Sequence, residues 1–297
     1  MKTLLQISYF PLFLMGFMGA GIYVSQQQLG FTFILLLMAL ALIISFGIER
    51  TIPYNQNWNQ SRGDGLRDAI HFMVNESMNY SGIFLLAFLP SLALSPNLWP
   101  QQWPFFLQVL LALLVFDICT TLFHFFSHKY DFLWRFHAVH HAPKRLYGLN
   151  GIMKHPVFQL FDSIVAVGPL LLMGMPQDVA FMLVYCIFIQ LLLQHSNVNM
   201  KTGALRLLFA SAEVHRFHHL KGKQGDVNFG LFLTIWDRLL GSAYFEKRTQ
   251  PLDENDLGIG SDANYPVNYL GQMKKPFQRS PSSKQAQKQA SDIESAT

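Results

Sequence analysis

Residues 2–49 read KTLLQISYFPLFLMGFMGAGIYVSQQQLGFTFILLLMALALIISFGIE and contain no charged side chain between Lys2 and Glu49. The polar residues 25–28 divide this stretch into two apolar runs, residues 4–24 and 29–48. A helix needs about 20 apolar residues, at a rise of about 1.5 Å each, to cross the hydrocarbon core of a bilayer. Each run is long enough, so the stretch predicts a hairpin of two membrane-spanning helices.

Two further pairs of apolar runs follow the same pattern. Residues 80–94 and 104–123 predict a second hairpin, and residues 156–173 and 178–193 predict a third. Hydrophobic residues make up 51% of the 297 and charged residues only 13%, against about 25% charged in an ordinary globular protein. Intrinsic disorder and a disulfide scaffold are excluded, because the chain is apolar and has two Cys. We predict an all-α fold, a multi-pass integral membrane helical bundle of about six spans in three hairpins.

The distribution of Lys and Arg predicts the orientation in the membrane. The short connections within the hairpins contain neither type: residues 25–28, 95–103 and 174–178. The longer polar segments contain many: residues 49–76, 124–155 and 194–248. Because cytoplasmic loops carry an excess of Lys and Arg, both termini and the polar segments are predicted to be cytoplasmic, in a bacterial inner membrane. The net charge of +4 follows from this bias, and no nucleic-acid partner is expected.

Histidines are the second unusual feature of the chain. Ten of the eleven lie between residues 124 and 219. Residues three or four apart share a helix face. Three groups have this spacing: His124 and His128; His137, His140 and His141; His215, His218 and His219. The single residues His155 and His195 lie at the predicted membrane boundary, so all ten imidazoles are expected just beneath the bilayer.

Metal coordination is the best explanation of this clustering. Many adjacent imidazolium cations would repel one another and would be costly to desolvate, which favours neutral imidazoles. Imidazole suits zinc, copper, iron and nickel. One zinc ion needs only about three or four ligands, so eight to ten His are enough for two ions. A pair of metal ions fits either dioxygen activation or two-metal hydrolysis. The surrounding apolar spans favour dioxygen chemistry on a lipid.

Four further polar residues, which do not belong to the histidine groups, need separate interpretation. Asp117 precedes His124 by seven residues on the same helical face, which suits an acceptor for an imidazole N–H and equally suits a polar residue lining a helix. Asn228 and Asp237 could also support the ligands, although a role in stabilising the fold is favoured. His71 lies outside the cluster and is expected to be a hydrogen-bonded packing residue.

Several sequence blocks in one order carry a resemblance to a known family. The blocks lie within residues 117–245: HFFSH at 124–128, WRFHAVHH at 134–141, KHP at 154–156, His195, EVHRFHH at 213–219, NFG at 228–230 and WDRLLGS at 236–242. Together they resemble the membrane-bound fatty acid hydroxylase or sterol desaturase superfamily. The resemblance implies a helical membrane bundle with a cytoplasmic His-rich di-metal cap, taken as non-haem di-iron, which uses dioxygen and electrons to hydroxylate or desaturate lipids.

The resemblance and the spacing together define the expected site. We expect ten metal ligands: His124, His128, His137, His140, His141, His155, His195, His215, His218 and His219. Iron is the expected metal, with zinc as a possible substitute, and dioxygen is the co-substrate. The sequence has no flavin, nicotinamide or haem-carrier motif, so electrons are expected from a separate ferredoxin or cytochrome. The substrate is expected to enter from the bilayer.

The sequence departs from the family pattern at a few positions. Thr121 and Phe125 stand where family members commonly carry a Tyr and an Arg, and Ser242 replaces a Thr. Asn199 stands where some relatives place a further His, so it could ligate weakly or leave an open coordination position. These changes leave open hydroxylation or desaturation, and a sterol, ether lipid, fatty acyl chain or amino-acid-headed lipid as substrate.

Other functions stay open at this point. A non-oxidative zinc-dependent membrane hydrolase or a metal-binding or transport membrane protein would also use clustered His. A bis-His haem protein is disfavoured, because its ligands would lie within the bilayer. The predicted domains are the N-terminal transmembrane helices (1–116), the catalytic domain (117–248), a membrane-surface C-terminal segment (249–273) and a disordered tail (274–297).

Overall fold

The architecture is all-helical, as predicted. The computed structural model describes residues 2–86, 98–246, 250–262 and 264–278. Within those ranges the only β pairing consists of three isolated bridges. Ten α-helices follow one another: α1 (Lys2–Gln26), α2 (Phe31–Thr51), α3 (Gly65–Leu86), α4 (Phe105–Lys129), α5 (Asp131–His141), α6 (Pro156–Leu172), α7 (Gln177–His195), α8 (Ala212–His215), α9 (Ile235–Leu240) and α10 (Tyr269–Lys274). Short 3-10 turns cover Gln56–Asn59, Gly148–Ile152, Gly203–Leu207, Gly222–Gly225 and Lys275–Phe277.

Four of these helices are long and apolar enough to cross a membrane: α1, α2, α4 and α7. They match four of the six predicted spans. Helix α6 corresponds to the fifth predicted span, residues 156–173. It has 17 residues, which is the lower limit of about 17 for a span. The predicted span at residues 80–94 begins within α3, and residues 87–97 lie outside the described ranges.

Helix α3 begins earlier than the sequence analysis indicated, inside the polar segment 49–76. Two of its buried polar side chains have partners that make this start possible: Asp68 accepts a hydrogen bond from the Tyr147 hydroxyl at 2.7 Å, and the Asn75 amide donates to Ile152 O at 2.8 Å. Buried polar groups are tolerated when they are hydrogen-bonded. The first half of α3 therefore packs among polar loops.

Helix α7 forms the centre of the bundle. It contacts α1, α2, α3 and α4, and its buried residues lie on every side of the helix, as expected for a helix that is apolar all round. At Gly21 the backbone of α1 lies directly against the Tyr185 ring, where a Cβ would overlap the ring. The Tyr185 hydroxyl donates to Phe17 O at 2.9 Å.

The polar segments pack together at one end of the bundle, where α2, α4 and α7 end and α6 begins. The Glu49 carboxylate, at the end of α2, accepts hydrogen bonds from Gly148 N at 2.7 Å and Asn197 N at 3.1 Å. The buried guanidinium of Arg216 donates to the carbonyl oxygens of Ser196 and Val198 at 2.8 and 2.7 Å. These bonds fix the loops that surround the histidines.

The C-terminal segment folds onto the same end. His71 is fully buried, with Nε2 at 2.8 Å from Gln272 Oε1 in α10. Residues 274–278, which the sequence assigned to the disordered tail, are structured. Pro276 is buried and the Phe277 ring packs against Phe136 at a centroid distance of 5.5 Å. These apolar contacts explain the added order, and residues 279–297 of the predicted tail lie outside the described ranges.

Candidate metal centre

Nine of the ten clustered histidines converge in two neighbouring groups. In each group, one ring nitrogen per residue lies within 4.8 Å of the others. The five-histidine group contains His124, His128, His137, His141 and His218. The four-histidine group contains His140, His195, His215 and His219. Rings of the two groups are in contact, with centroids 4.7 Å apart for His141 and His219. The arrangement therefore offers two adjacent metal positions.

Each His-x-x-His-His motif contributes to both groups, which the sequence analysis did not predict. In α5, His137 and His141 join the five-histidine group while His140 joins the other. The end of α8 and the turn after it repeat the division, since His215 and His219 share one group and His218 joins the other. An α-helix turns about 100° per residue, so residues i and i+4 point about 40° apart, whereas i+3 and i+4 diverge by about 100°. The spacing therefore directs the middle histidine to a different ion.

Backbone carbonyls fix the tautomer of three ligands. The Nδ1 atoms lie 2.9 Å from Phe229 O for His124, 2.8 Å from Val227 O for His218 and 3.1 Å from Met153 O for His140. A carbonyl oxygen only accepts, so Nδ1 carries the proton and Nε2 keeps its lone pair. Such contacts also fix the ring orientation of a metal ligand.

Two side chains do the same for two more ligands. His128 Nδ1 lies 3.0 Å from Asp226 Oδ1, and His195 Nδ1 lies 3.3 Å from Asn150 Oδ1. The amide of Asn150 donates from Nδ2 to Arg145 O at 2.7 Å, which directs its oxygen toward His195. The sequence analysis missed Asp226 and Asn150. Asp226 lies between the family blocks at 213–219 and 228–230, and this position could have indicated a supporting role.

The Nε2 atoms of neighbouring histidines face one another at short distances. Nε2 of His141 is 3.1 Å from that of His128 and 3.0 Å from that of His137. Nε2 of His215 is 3.1 Å from those of His195 and His219. Two nitrogens bound to one ion at about 2.1 Å, at an angle of about 90–110°, lie about 3.0–3.4 Å apart. These separations therefore fit nitrogens that share a divalent cation.

Two further Nε2 atoms support the same conclusion. Those of His124 and His218 are buried and have no hydrogen-bond partner in the part of the chain that the structure describes. A buried polar atom without a partner is costly. A metal ion in the five-histidine group would satisfy both atoms, so the donor set fits two metal ions.

Burial keeps these imidazoles neutral outside the membrane spans. Desolvation, assisted by the charge of Lys154, lowers the pKa of His140 to about 3. Burial, with repulsion from neighbouring imidazoles, holds the pKa of five others well below the ordinary value: His137, His141, His215, His218 and His219. Only a neutral imidazole can ligate a metal, so the site favours metal binding over proton binding.

His155, predicted as a tenth ligand, lies outside both groups. It caps the N-terminus of α6, where its Nδ1 accepts a hydrogen bond from Val157 N at 3.1 Å. Its Nε2 lies 3.2 Å from Met273 O. Both ring nitrogens are thus engaged. The reason is local: Pro156 begins the helix, and the preceding residue takes the extended conformation of an N-cap.

The carboxylate of Asp117 does not accept from an imidazole. It accepts hydrogen bonds from Phe232 N at 2.8 Å, Leu233 N at 3.0 Å and Trp236 Nε1 at 2.7 Å. Asp117 therefore holds the segment that follows Phe229, whose carbonyl oxygen is the partner of a ligand. Its action on the ligands is indirect.

The other predicted supporting residues also hold loops. Asp237 accepts from Phe229 N at 2.7 Å and Gly230 N at 2.9 Å, so it fixes the same segment as Asp117. Asn228 adopts a positive φ of 54° and accepts from Tyr244 N at 2.7 Å. Asn199 donates its backbone N–H to Ile52 O at 2.8 Å, beside the end of α2.

Two neighbouring cavities with shared lining residues lie next to the histidines. A small one of about 40 Å³ is lined by histidines of both groups and by Thr120, Lys154 and Asp162. A larger one of about 500 Å³, with mostly apolar walls, lies between α3, α6 and α7. Lys154, Asp162 and Leu191 line both cavities. An ion pair of 2.7 Å joins Lys154 Nζ to Asp162 Oδ2, and Thr120 donates to Asp162 Oδ1 at 2.7 Å. The apolar cavity therefore ends at the metal site.

Comparison with known proteins assigns the family. The fatty acid hydroxylase family model matches residues 109–242. Ornithine lipid hydroxylase OlsE of Rhizobium tropici is 32% identical over 257 residues, which cover 82% of this chain and 74% of that protein. The chain belongs to the fatty acid hydroxylase family. Alkylglycerol monooxygenase of Danio rerio is 30% identical over 145 residues, 48% of this chain and 31% of that protein. No solved structure is a significant match.

This member of the fatty acid hydroxylase family carries its converging histidines in the matched segment. All nine converging histidines lie between residues 109 and 242, together with Asp117 and Asp237. The predicted superfamily is thereby confirmed, and the chain is an enzyme of a lipid-oxygenase family with helices suited to a membrane.

Proposed function

We propose that this protein hydroxylates a C–H bond of a polar-headed membrane lipid, with dioxygen, at a di-iron centre held by the nine histidines. The observation that carries the proposal is the convergence of Nε2 atoms in two adjacent groups. Imidazole ligands suit iron, zinc and copper, and membership of the fatty acid hydroxylase family supports iron. The net reaction converts lipid C–H, dioxygen, two electrons and two protons into an alcohol and water. When bound, the iron supplies the binding and reduction of dioxygen.

The residues of the chain prepare the substrate side of the site. The small cavity is lined by four histidines and by apolar side chains such as Phe158 and Leu191, and such walls limit the access of bulk water to the reacting atoms. At its border the Asp162 carboxylate accepts from both Thr120 and Lys154. This network places a fixed polar boundary between the histidines and the apolar cavity.

The large cavity suits a lipid bound in one orientation. Its volume of about 500 Å³ lies within the usual range of about 300–1,000 Å³ for small-molecule sites. The polar lining residues lie toward the metal site, on the first turns of α6 and in the middle of α3, whereas Gly168, Leu171 and Ala180 line the far end. We place the headgroup near the histidines and the chain along α6 and α7. The oxygenated carbon then lies near the headgroup.

Electrons, on this proposal, come from a separate ferredoxin or cytochrome. The concentration of Lys and Arg in the segments that carry the histidines supports a cytoplasmic site in a bacterial inner membrane. The names of the two relatives, an ornithine lipid hydroxylase and an alkylglycerol monooxygenase, support a polar lipid as substrate.

Lipid mass spectrometry tests the proposal. Cells with and without the protein are grown under isotopically labelled dioxygen, and their lipid extracts are compared. We expect one lipid to gain a single labelled oxygen atom, and the gain to vanish in a His141→Ala variant. A lipid that loses two hydrogens instead would identify a desaturase. Purified protein that holds zinc and turns over a lipid without dioxygen would refute the oxygenase assignment.

A further inference from the structure

The large apolar cavity contains a carboxyl group with no ion-pair partner within 4 Å among the described residues. Glu76, in α3, lines the cavity and is only 8% exposed. Its Oε1 has a weak contact of 3.4 Å with the Asn79 amide, and its Oε2 has no hydrogen-bond partner among the described residues. The metal site does not use this group, and burial of an unpaired carboxylate is strongly unfavourable.

The other polar groups at this end of the cavity satisfy one another. Gln159 Nε2 donates to Asn79 Oδ1 at 2.8 Å and to Ser163 Oγ at 3.2 Å. Asp162 is paired with Lys154 at 2.7 Å. None of them is therefore in need of a ligand. Within this set of cavity-lining groups, Glu76 is the one without a strong partner among the described residues.

The net charge of the cavity also favours a cationic ligand. Its charged lining residues are Glu76, Asp162 and Lys154, which sum to a net charge of −1 when ionised. The Lys154 ammonium forms its close ion pair with Asp162, so an ionised Glu76 would carry the excess negative charge. A ligand that brings one positive charge and N–H donors would neutralise the cavity and satisfy the free carboxylate oxygen.

We propose that Glu76 binds a primary ammonium group in the headgroup of the lipid substrate and thereby selects cationic-headed lipids. This inference rests on the proposed function, since it names the substrate class of the same cavity. The two oxygens of a carboxylate exchange by rotation about a broad torsion, so either can face the ligand. The apolar walls hold the chain, and Glu76 fixes the headgroup about one helix turn from Asn79, whose side chain is bonded to Gln159.

Ligand binding tests the proposal without requiring catalysis. The full-length protein, purified in detergent micelles, is titrated with hexadecylamine and with hexadecanol, which share a chain and differ in the charged N–H donors. Native mass spectrometry gives the two dissociation constants. We expect wild type to bind the amine about tenfold or more tightly than the alcohol, as for a charged hydrogen bond in a buried site. Glu76→Gln should bring the ratio close to one while the affinity for the alcohol stays unchanged.

A matched variant controls for the loss of one negative charge. Asp178→Asn removes an exposed carboxylate at the start of α7, and it should keep the wild-type preference. An amine preference that persists in Glu76→Gln, or that is absent in wild type, would overturn the proposal. The retained affinity for hexadecanol shows that the variant is folded. Because binding needs neither dioxygen nor electrons, its outcome is independent of whether any lipid gains oxygen.

Discussion

Replacement of Asp117 by Asn tests how the fold supports the ligands. The carboxylate accepts from three donors of one segment: Phe232 N on Oδ1, and Leu233 N and Trp236 Nε1 on Oδ2. Asparagine has nearly the same shape but only one acceptor oxygen. If that oxygen takes the place of Oδ2, two bonds survive, and the new NH2 group faces the N–H of Phe232.

The magnitude follows from this geometry. The orphaned N–H of Phe232 costs about 2 kcal/mol in a buried site, and conversion of the two surviving bonds from charged to neutral costs about 1 kcal/mol more. We therefore expect Asp117→Asn to lower the free energy of unfolding by about 3 kcal/mol. Because the held segment includes Phe229, whose carbonyl orients His124, the metal content of the purified variant should also fall.

Unfolding in mixed detergent micelles, with metal analysis of the same samples, measures both effects. Trp236→Phe is the matched control, because it removes one donor and leaves the carboxylate in place. It should lower the free energy of unfolding by only about 1 kcal/mol. An Asp117→Asn protein with wild-type stability would refute the hydrogen-bond account. Loss of metal at unchanged stability would instead favour the direct contact with an imidazole that the sequence suggested.

Three further predictions concern the histidines. His140→Ala should lower the iron content from about two ions per chain to one or fewer, whereas His155→Ala should keep it; equal losses in both variants would contradict the nine-ligand set. In metal-free protein the pKa of His140 is about 3 against about 6.5 when unfolded, so stability is complete above pH 6.5 and falls as the pH decreases. This residue alone contributes a loss of about 2 kcal/mol between pH 7 and 5, measurable by denaturant titration at the two pH values. Gly151→Ala should displace the end of α7, since its Cβ would lie 2.7 Å from Leu191 O and 3.1 Å from His195 Cγ. Because His195 is one of the nine ligands, the iron content of this variant should fall.

Much of the fold could be predicted from local patterns. Long apolar runs, residues 4–24, 29–48, 104–123 and 178–193, are sufficient to identify α1, α2, α4 and α7, because length and hydropathy decide a span. The start of α3 could not be predicted in this way. Its polar residues depend on partners such as Tyr147, which lies 79 residues from Asp68 along the chain. A local sequence pattern does not include both partners of such a bond.

The candidate site shows the same division between local and distant information. The spacing of His137, His140 and His141 predicts ligation, but the sequence analysis placed the three on one helix face and did not predict their division between two groups. The N-cap role of His155 was also readable, since Pro156 follows it directly. The partners of Asp117 were not, because they lie 115 or more residues away.

The division of each His-x-x-His-His motif between the two groups makes metal loading a property of the pair. Helix α5 and the turn after α8 each bind both positions, so the first ion to arrive immobilises backbone that the second ion needs. Binding of the first ion then carries most of the loss of backbone conformational entropy, and the second ion binds to a site that is already ordered. Metal titration should accordingly be cooperative, with the half-loaded form a minor species at every ratio of iron to protein.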